Sequence, residues 1–235
     1  MIVGNEIKNI DVDIPKDIYD ADKQTPTFSV YLTIIVKDPQ GKIIKVHRQR
    51  SHSPTANFIG LLLPLTYYES SSITFTLTNT GGETYSYQPG STSINTYISY
   101  PATGYNENQT TNIVMIQVGS GSQSNPYTAY SLASPIANGS GAGQLIYGTP
   151  SVSPNVTVNG NSAYFYITQT FNNATSSTVN ITEVGILLHP TLINYEITYA
   201  TNCGQLLVWY DTLSSPISVP AGSAVVIAYT FTVNP

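Results

Sequence analysis

The short segment HRQRSH, residues 47–52, carries the densest group of side chains that could do chemistry. Its two guanidinium groups and two imidazoles can hold an anion such as a phosphate or a carboxylate. They can equally bond carboxylates or carbonyls of neighbouring segments or subunits. Phosphate binding would need a wider basic patch, which the chain lacks, so we expect subunit or anion contacts here. The residues concerned are His47, Arg48, Arg50 and His52.

Carboxylates are too sparse in most of the chain to indicate an active site. A glycosidase pair among Glu183, Glu196 and Asp211 can be drawn from composition alone. The same is true of a Ser–His–Asp triad built with His189 and Asp211. Glu183 lies in the apolar stretch ITEVGILL, which favours a buried structural carboxylate. We therefore expect no catalytic residue and no enzymatic activity.

Signals for metals, cofactors and disulfides are also missing. Cys203 is the single cysteine, so neither an internal disulfide nor a multi-cysteine metal site can form. The glycine-rich stretches lack the Lys-Ser/Thr pair of a phosphate-binding loop. We expect no bound metal and no cofactor. Five Asn-x-Ser/Thr sequons are possible glycosylation sites. They are Asn108, Asn138, Asn155, Asn173 and Asn180.

Positive charge is confined to one end of the chain. All eight Lys and Arg residues lie within the first fifty positions, where seven acids nearly cancel them. The net charge of the whole chain is −5, which gives no strong signal for nucleic-acid binding. From residue 51 onward the surface must be wetted mainly by neutral polar side chains. Such a surface gains little charge at about pH 3, where free carboxylates become protonated. We interpret this as adaptation to acidic, hot surroundings.

The dominant hydrophobic period is two. In residues 28–36 apolar and polar side chains alternate, and the turn PQG at 39–41 leads into a second strand. About ten such strands follow one another, with one short helix expected at 54–62. This pattern predicts an all-β, antiparallel, jelly-roll-like β-sandwich. We expect one domain spanning residues 1–235 with long loops, and a possible subdivision near 90–111.

No membrane or secretion signal stands out. The longest nearly apolar run, residues 58–65, is far too short to cross a bilayer. The N-terminal stretch MIVGNEIKNIDVDIP has no apolar core of a signal peptide. We therefore expect no transmembrane segment and synthesis in the cytoplasm.

The order of several blocks resembles a known family. These blocks include DPQGKIIKVHRQRSHS, NFIGLLL, TFTLTNTGGETYSY, GSGAGQLIYGTPSVS, FYITQTFNNATSSTVNITEVGIL and LLVWYDTLSSPISVPAGSAVVIAYTFTV. In this order the chain resembles short, β-rich structural proteins of archaeal viruses and thermophilic phages over nearly its full length. The family usually has an arginine within the strand YITQTF and an Arg-Asp pair where this chain has Tyr210-Asp211. Both departures remove positive charge.

The resemblance implies a virion component made in the host cytoplasm, located in the capsid, a vertex turret or the tail. Its partners would be other copies of the chain and other virion proteins. The alternative is an adhesin or receptor-binding module that binds host-surface glycans. Clustered tyrosines in the chain suit either a subunit interface or a carbohydrate platform, because Tyr offers a large contact area and one polar group.

Overall fold

A computed structural model describes residues 27–51, 53–62, 75–87, 114–153, 155–189, 191–193, 200–202 and 204–234. This part of the chain is mostly β, with antiparallel sheets and one α-helix, so the all-β prediction is confirmed. The helix is α1 (Ala56–Leu62). The strands are β1 (Thr27–Lys37), β2 (Ile43–Ser51), β3 (Phe75–Thr78), β4 (Thr84–Tyr87), β5 (Val114–Gly119), β6 (Ile146–Tyr147), β7 (Ser151–Val152), β8 (Thr157–Asn159), β9 (Ser162–Asn172), β10 (Val179–Leu188), β11 (Thr191–Ile193), β12 (Ala200–Asn202), β13 (Leu206–Val219) and β14 (Ala224–Asn234).

The larger sheet has the strand order β2-β1-β14-β9. The short strands β6, β7 and β8 each pair with β9 on its other side. Strand β14, near the C-terminus, lies between β1 and β9 and completes the sheet of its own chain. Four of the alternating apolar residues of β1 point to the inner face, where they are 0–2% exposed. They are Val30, Leu32, Ile34 and Val36.

The smaller sheet has the order β13-β10-β5, and two hairpins, β3–β4 and β11–β12, complete the described strands. The two main sheets share one hydrophobic core. Trp209 of β13 packs edge-on against Phe231 of β14, with ring centroids 5.6 Å apart. Phe58 of α1 packs against the same indole at 5.2 Å. These contacts join both sheets and the helix around one aromatic centre.

The helix begins two residues later than the predicted range 54–62. Pro54 forms a β-bridge with Trp209, and the backbone N–H of Thr55 donates to the carbonyl of Val208. The hydroxyl of Thr55 also donates to the carbonyl of Leu207, at 2.6 Å. Pairing with β13 therefore holds this segment extended, and the helical turn starts only at Ala56. The predicted subdivision near 90–111 lies outside the described residues.

No helix within the described ranges is long and apolar enough to span a bilayer.

Candidate subunit-contact edge

Every lysine and arginine in the described part of the chain lies on the β1–β2 hairpin. These residues are Lys37, Lys42, Lys45, Arg48 and Arg50. The tight turn between the strands is held by Asp38, whose Oδ1 accepts the N–H groups of Gln40 and Lys42. Among the strands that the structure describes, β2 lies at the end of the larger sheet and pairs with β1 alone. We call β2, with Lys45, Arg48 and Arg50, the cationic edge.

The outward side of the cationic edge faces no other strand of the described ranges. Among the residues that the structure describes, its backbone forms no hydrogen bond outside the ladder with β1. At nine residues it is a long edge. An unpaired edge of this length is a template for pairing with another chain, and cations along it hinder pairing with an identical edge.

The edges of the smaller sheet are covered instead. Along β5, the N–H of Ile116 donates to Gln169 Oε1 at 2.7 Å, and the N–H of Val118 donates to the Tyr147 hydroxyl at 3.3 Å. Along β13, the N–H of Tyr210 donates to the carbonyl of Ser53. The outward backbone of β2 has no such partners among the described residues.

The side chains of β2 divide between its two faces. Arg48 and Arg50 share the outer face, and the Arg48 guanidinium lies 4.7 Å from the ring centroid of Tyr31. This stacking is a cation–π contact that fixes the direction of the guanidinium. On the inner face, His47 Nε2 and Gln49 Oε1 are 2.9 Å apart. The other histidine of the predicted site, His52, lies outside the described residues.

A buried polar cluster anchors the end of the cationic edge. Ser51 Oγ donates to Asp211 Oδ2 at 2.5 Å, and the Tyr229 hydroxyl donates to the same oxygen at 2.8 Å. The indole N–H of Trp209 donates to Ser51 Oγ. All four residues are at most 4% exposed. The cluster ties β2 to β13 and β14, so Asp211 works as a bonded structural group, and nothing in the sequence pattern signalled this.

The Tyr229 hydroxyl gives a test of the cluster at alkaline pH. Burial raises the pKa of Tyr229 well above its usual value, and the negative charge of Asp211 raises it further. The pKa of Tyr229 is higher in the folded chain than in the unfolded chain, where it is about 10. The contribution of the protonated hydroxyl to folding stability is therefore complete below about pH 10. It is lost as the pH rises through the pKa of the folded state. Tyrosinate absorbance at 295 nm should therefore show Tyr229 ionising only together with unfolding. Ionisation of every tyrosine near pH 10 in a folded chain would contradict this.

Glu183 is the second buried carboxylate, with 0% exposure. It accepts backbone N–H groups from Gly121, Ala133 and Ser134 at 2.8–3.0 Å, and the Tyr210 hydroxyl at 2.9 Å. A Cβ atom at Gly121 would lie 2.7 Å from that of Ala133, so glycine permits this close approach. The carboxylate holds the 120–134 loop against β10, and its structural role agrees with the expectation from its apolar surroundings.

Glu183 and Asp211, one of the acidic pairs considered from the sequence, do not come together. Val184 pairs with Asp211 and Glu183 with Thr212, so the two carboxylates lie on opposite faces of the smaller sheet. Glu196 lies outside the described residues. His189 follows Leu188, whose partner Leu206 is five residues from Asp211 along β13. That separation is roughly 16 Å at 3.3 Å per residue, too far for a hydrogen-bonded triad.

The sequons differ in accessibility. Asn173 is 1% exposed, and its amide nitrogen donates to the carbonyls of Ser177, Val219 and Pro220, so a glycan would require this turn to open. The side-chain oxygen of Asn138 accepts the Tyr147 N–H, and this residue is half-buried. Two sequons are exposed, Asn155 and Asn180. Asn108 lies outside the described residues.

No group of three or more His, Cys, Asp or Glu side chains in the described ranges could hold a metal ion; Cys203 lies beyond those ranges. No protein-family model, curated protein or solved structure matches the chain.

Proposed function

We propose that this chain is a structural protein of a virus particle, which assembles with copies of itself and with other virion proteins. The observation that carries the proposal is the cationic edge: a nine-residue strand with an open backbone in a fold whose smaller sheet has covered edges. An open edge is a risk for a protein that works alone, whereas a subunit uses it for association. The role is architectural and needs no catalytic group.

The neutral surface beyond β2 supports the same role. Of the described acids beyond residue 51, Glu183 and Asp211 are buried, and only Glu83 is exposed. Burying a charge at an interface is costly. A surface of neutral side chains can pack against neighbouring subunits over a wide area without that cost. Within the proposal, the two sheets form a single jelly-roll-like sandwich domain, which supplies rigid walls.

Electron microscopy of the purified full chain tests the proposal. A ring, a shell or a regular filament built from repeated copies is the expected result. Dispersed single molecules at all concentrations, including those reached in an infected cell, would count against a self-assembling subunit. The place of the protein in a particle, whether capsid, turret or tail, would follow from imaging virions with an antibody against the chain.

The proposed acidic habitat predicts that the fold persists at acid pH. A hydrogen bond from Asn79 lowers the pKa of Glu83 below its usual value, and a second hydrogen bond, from Tyr85, lowers it further. The contribution of the Glu83 carboxylate to folding stability is therefore present at neutral pH and is lost as the pH falls through that lowered pKa. The side chain is exposed, so the loss is small. We expect the chain to stay folded at about pH 3 and to melt cooperatively there, as at about pH 7; a collapse of the fold near pH 4 would contradict the habitat.

One observation favours the alternative of a glycan-binding module. A cleft of about 270 Å³ opens beside the end of the cationic edge, lined by aromatic side chains and by Arg50. The aromatic residues are Phe28, Phe58 and Trp209. Such a lining can stack on a sugar ring while the guanidinium binds its hydroxyls or an acidic group. Binding of the full chain to particular sugars on a glycan array, lost in Phe28→Ala, would favour this alternative.

A further inference from the structure

The open side of the cationic edge requires a partner strand of suitable charge. A strand from another chain can add to a sheet edge through main-chain hydrogen bonds, with side chains selecting the partner. A second β2 is a poor partner in the antiparallel register that places Arg48 of one copy opposite Arg50 of the other, because like charges directly opposite each other destabilise a strand pair. An acidic strand with one apolar face meets the requirement.

The chain itself contains such a stretch ahead of the described part. Residues 9–14, NIDVDI, alternate aliphatic side chains with Asp11 and Asp13. Strict alternation of this kind is typical of a strand with one apolar and one polar face. The two aspartates are two positions apart, as Arg48 and Arg50 are on the outer face of β2.

The overall charges of the two segments also match. Residues 1–26 hold six acids and three lysines, which gives a net charge of −3. Residues 37–50 hold five Lys and Arg and one acid, which gives +4. Opposite net charge favours the encounter of these two segments over the encounter of either with its own copy.

We infer that residues 9–14 of a neighbouring copy add to the cationic edge as an antiparallel strand, with Asp11 opposite Arg50 and Asp13 opposite Arg48. The inference rests on the proposed function, because it names the contact through which copies assemble. Both charge pairs fall on the outer face in this register. The aliphatic side chains then fall on the inner face, beside the half-buried His47 and Gln49.

The direction of the chain favours a neighbouring copy as the donor. Val30 pairs with Ser51, so β1 starts at the end where β2 finishes. A segment of the same chain that runs directly into β1 would therefore lie parallel to β2. All ten pairings between described strands are antiparallel, and antiparallel pairing is slightly more stable per residue. The same segment from a second copy is not connected to this β1, so it can run antiparallel to β2.

The cleft at the end of the cationic edge supplies an anchor for the same strand. In the antiparallel register Ile10 lies opposite Ser51, which itself lines the cleft with Pro54 and Phe58. Phe28, at the rim, is 53% exposed. An aliphatic side chain placed in an aromatic cleft is the kind of contact that dominates the affinity of an interface.

Disulfide trapping in the full chain tests the register directly, in a Cys203→Ser background. Val12→Cys combined with Gln49→Cys places the two Cβ atoms about 4.5–5.5 Å apart. Mild oxidation is expected to join separate chains, visible as dimers or larger species on a non-reducing gel. The matched control is Val12→Cys with Arg48→Cys, whose side chains would point to opposite faces. It should form the bond at least about tenfold more slowly.

Charge exchange in the trapping variant tests the choice of partner. Asp11→Lys with Asp13→Lys should slow interchain bond formation about tenfold, because two attractive pairs become repulsive. Adding Arg48→Glu and Arg50→Glu should restore the rate. Failure of the exchanged variant to recover, while it remains folded by circular dichroism, would overturn the pairing.

The outcomes separate this inference from the proposed function. Interchain bonds in the first cysteine pair, with slow formation in the control, support the inference. A disulfide within one chain overturns it. Absence of any disulfide in a chain that still sediments as an oligomer also overturns it, but leaves the structural role standing. A chain that stays monomeric under all conditions overturns both.

Discussion

Glu183→Gln is expected to lower the free energy of unfolding by about 3 kcal/mol, at the upper end for hydrogen bonds to a charged group. The side chain is fully buried and accepts three backbone N–H groups and the Tyr210 hydroxyl. Glutamine has nearly the same shape, but its NH₂ group would face donors that need an acceptor. Urea unfolding followed by tryptophan fluorescence measures the change, since Trp209 is the single tryptophan and is buried.

Glu83→Gln is the matched control for that substitution. Glu83 is an exposed carboxylate bonded to Asn79 and Tyr85 beside the β3–β4 turn. Because solvent screens this group, its urea midpoint should match that of the unaltered chain. Equal destabilisation by the two substitutions would contradict the role assigned to Glu183 in holding the 120–134 loop.

Tyr229→Phe is expected to destabilise the fold by about 2 kcal/mol, within the range for a hydrogen bond to a charged group. The substitution removes one of the two hydroxyl donors to Asp211 Oδ2 in a fully buried site. Asp211→Asn should cost a similar amount, because the cluster then loses its carboxylate. Tyr127→Phe is the control, since Tyr127 is 56% exposed, and it should change stability by less than about 0.5 kcal/mol.

A double-mutant cycle decides whether Tyr229 and Asp211 act through each other. Groups in one buried network show coupling energies of about 0.5–3 kcal/mol. The double variant should therefore lose less stability than the sum of the two single losses. Simple additivity would mean that the hydroxyl and the carboxylate contribute separately, and the anchoring of the cationic edge through Asp211 would need another explanation.

Much of the fold was predictable from local sequence. The alternation in residues 28–36 and the PQG turn predicted β1, the start of β2 and the hairpin between them, because strand period and turn chemistry are short-range properties. The buried role of Glu183 was also readable from the apolar residues around it. The position of Pro54 and Thr55 was not, because their extended form depends on bonds to β13, about 150 residues away.

Only part of the candidate site could be predicted from the sequence. The sequence marked Arg48 and Arg50 as a charged pair on one strand face, which agrees with the register of β2. It could not indicate that β2 is an open edge. That property depends on which edges are covered elsewhere, by side chains such as Gln169 and Tyr147 that lie far away in the chain. Long-range coverage of this kind leaves no local pattern.

Within the proposed function, the chain is a self-assembling subunit that associates through its cationic edge. Sedimentation velocity of the full chain, compared with the variant Arg48→Glu/Arg50→Glu, measures this association. We expect a discrete oligomer for the unaltered chain, and a shift towards the 25.4 kDa monomer for the variant with its melting temperature retained. An unaltered chain that sediments at 25.4 kDa at every concentration would contradict the claim.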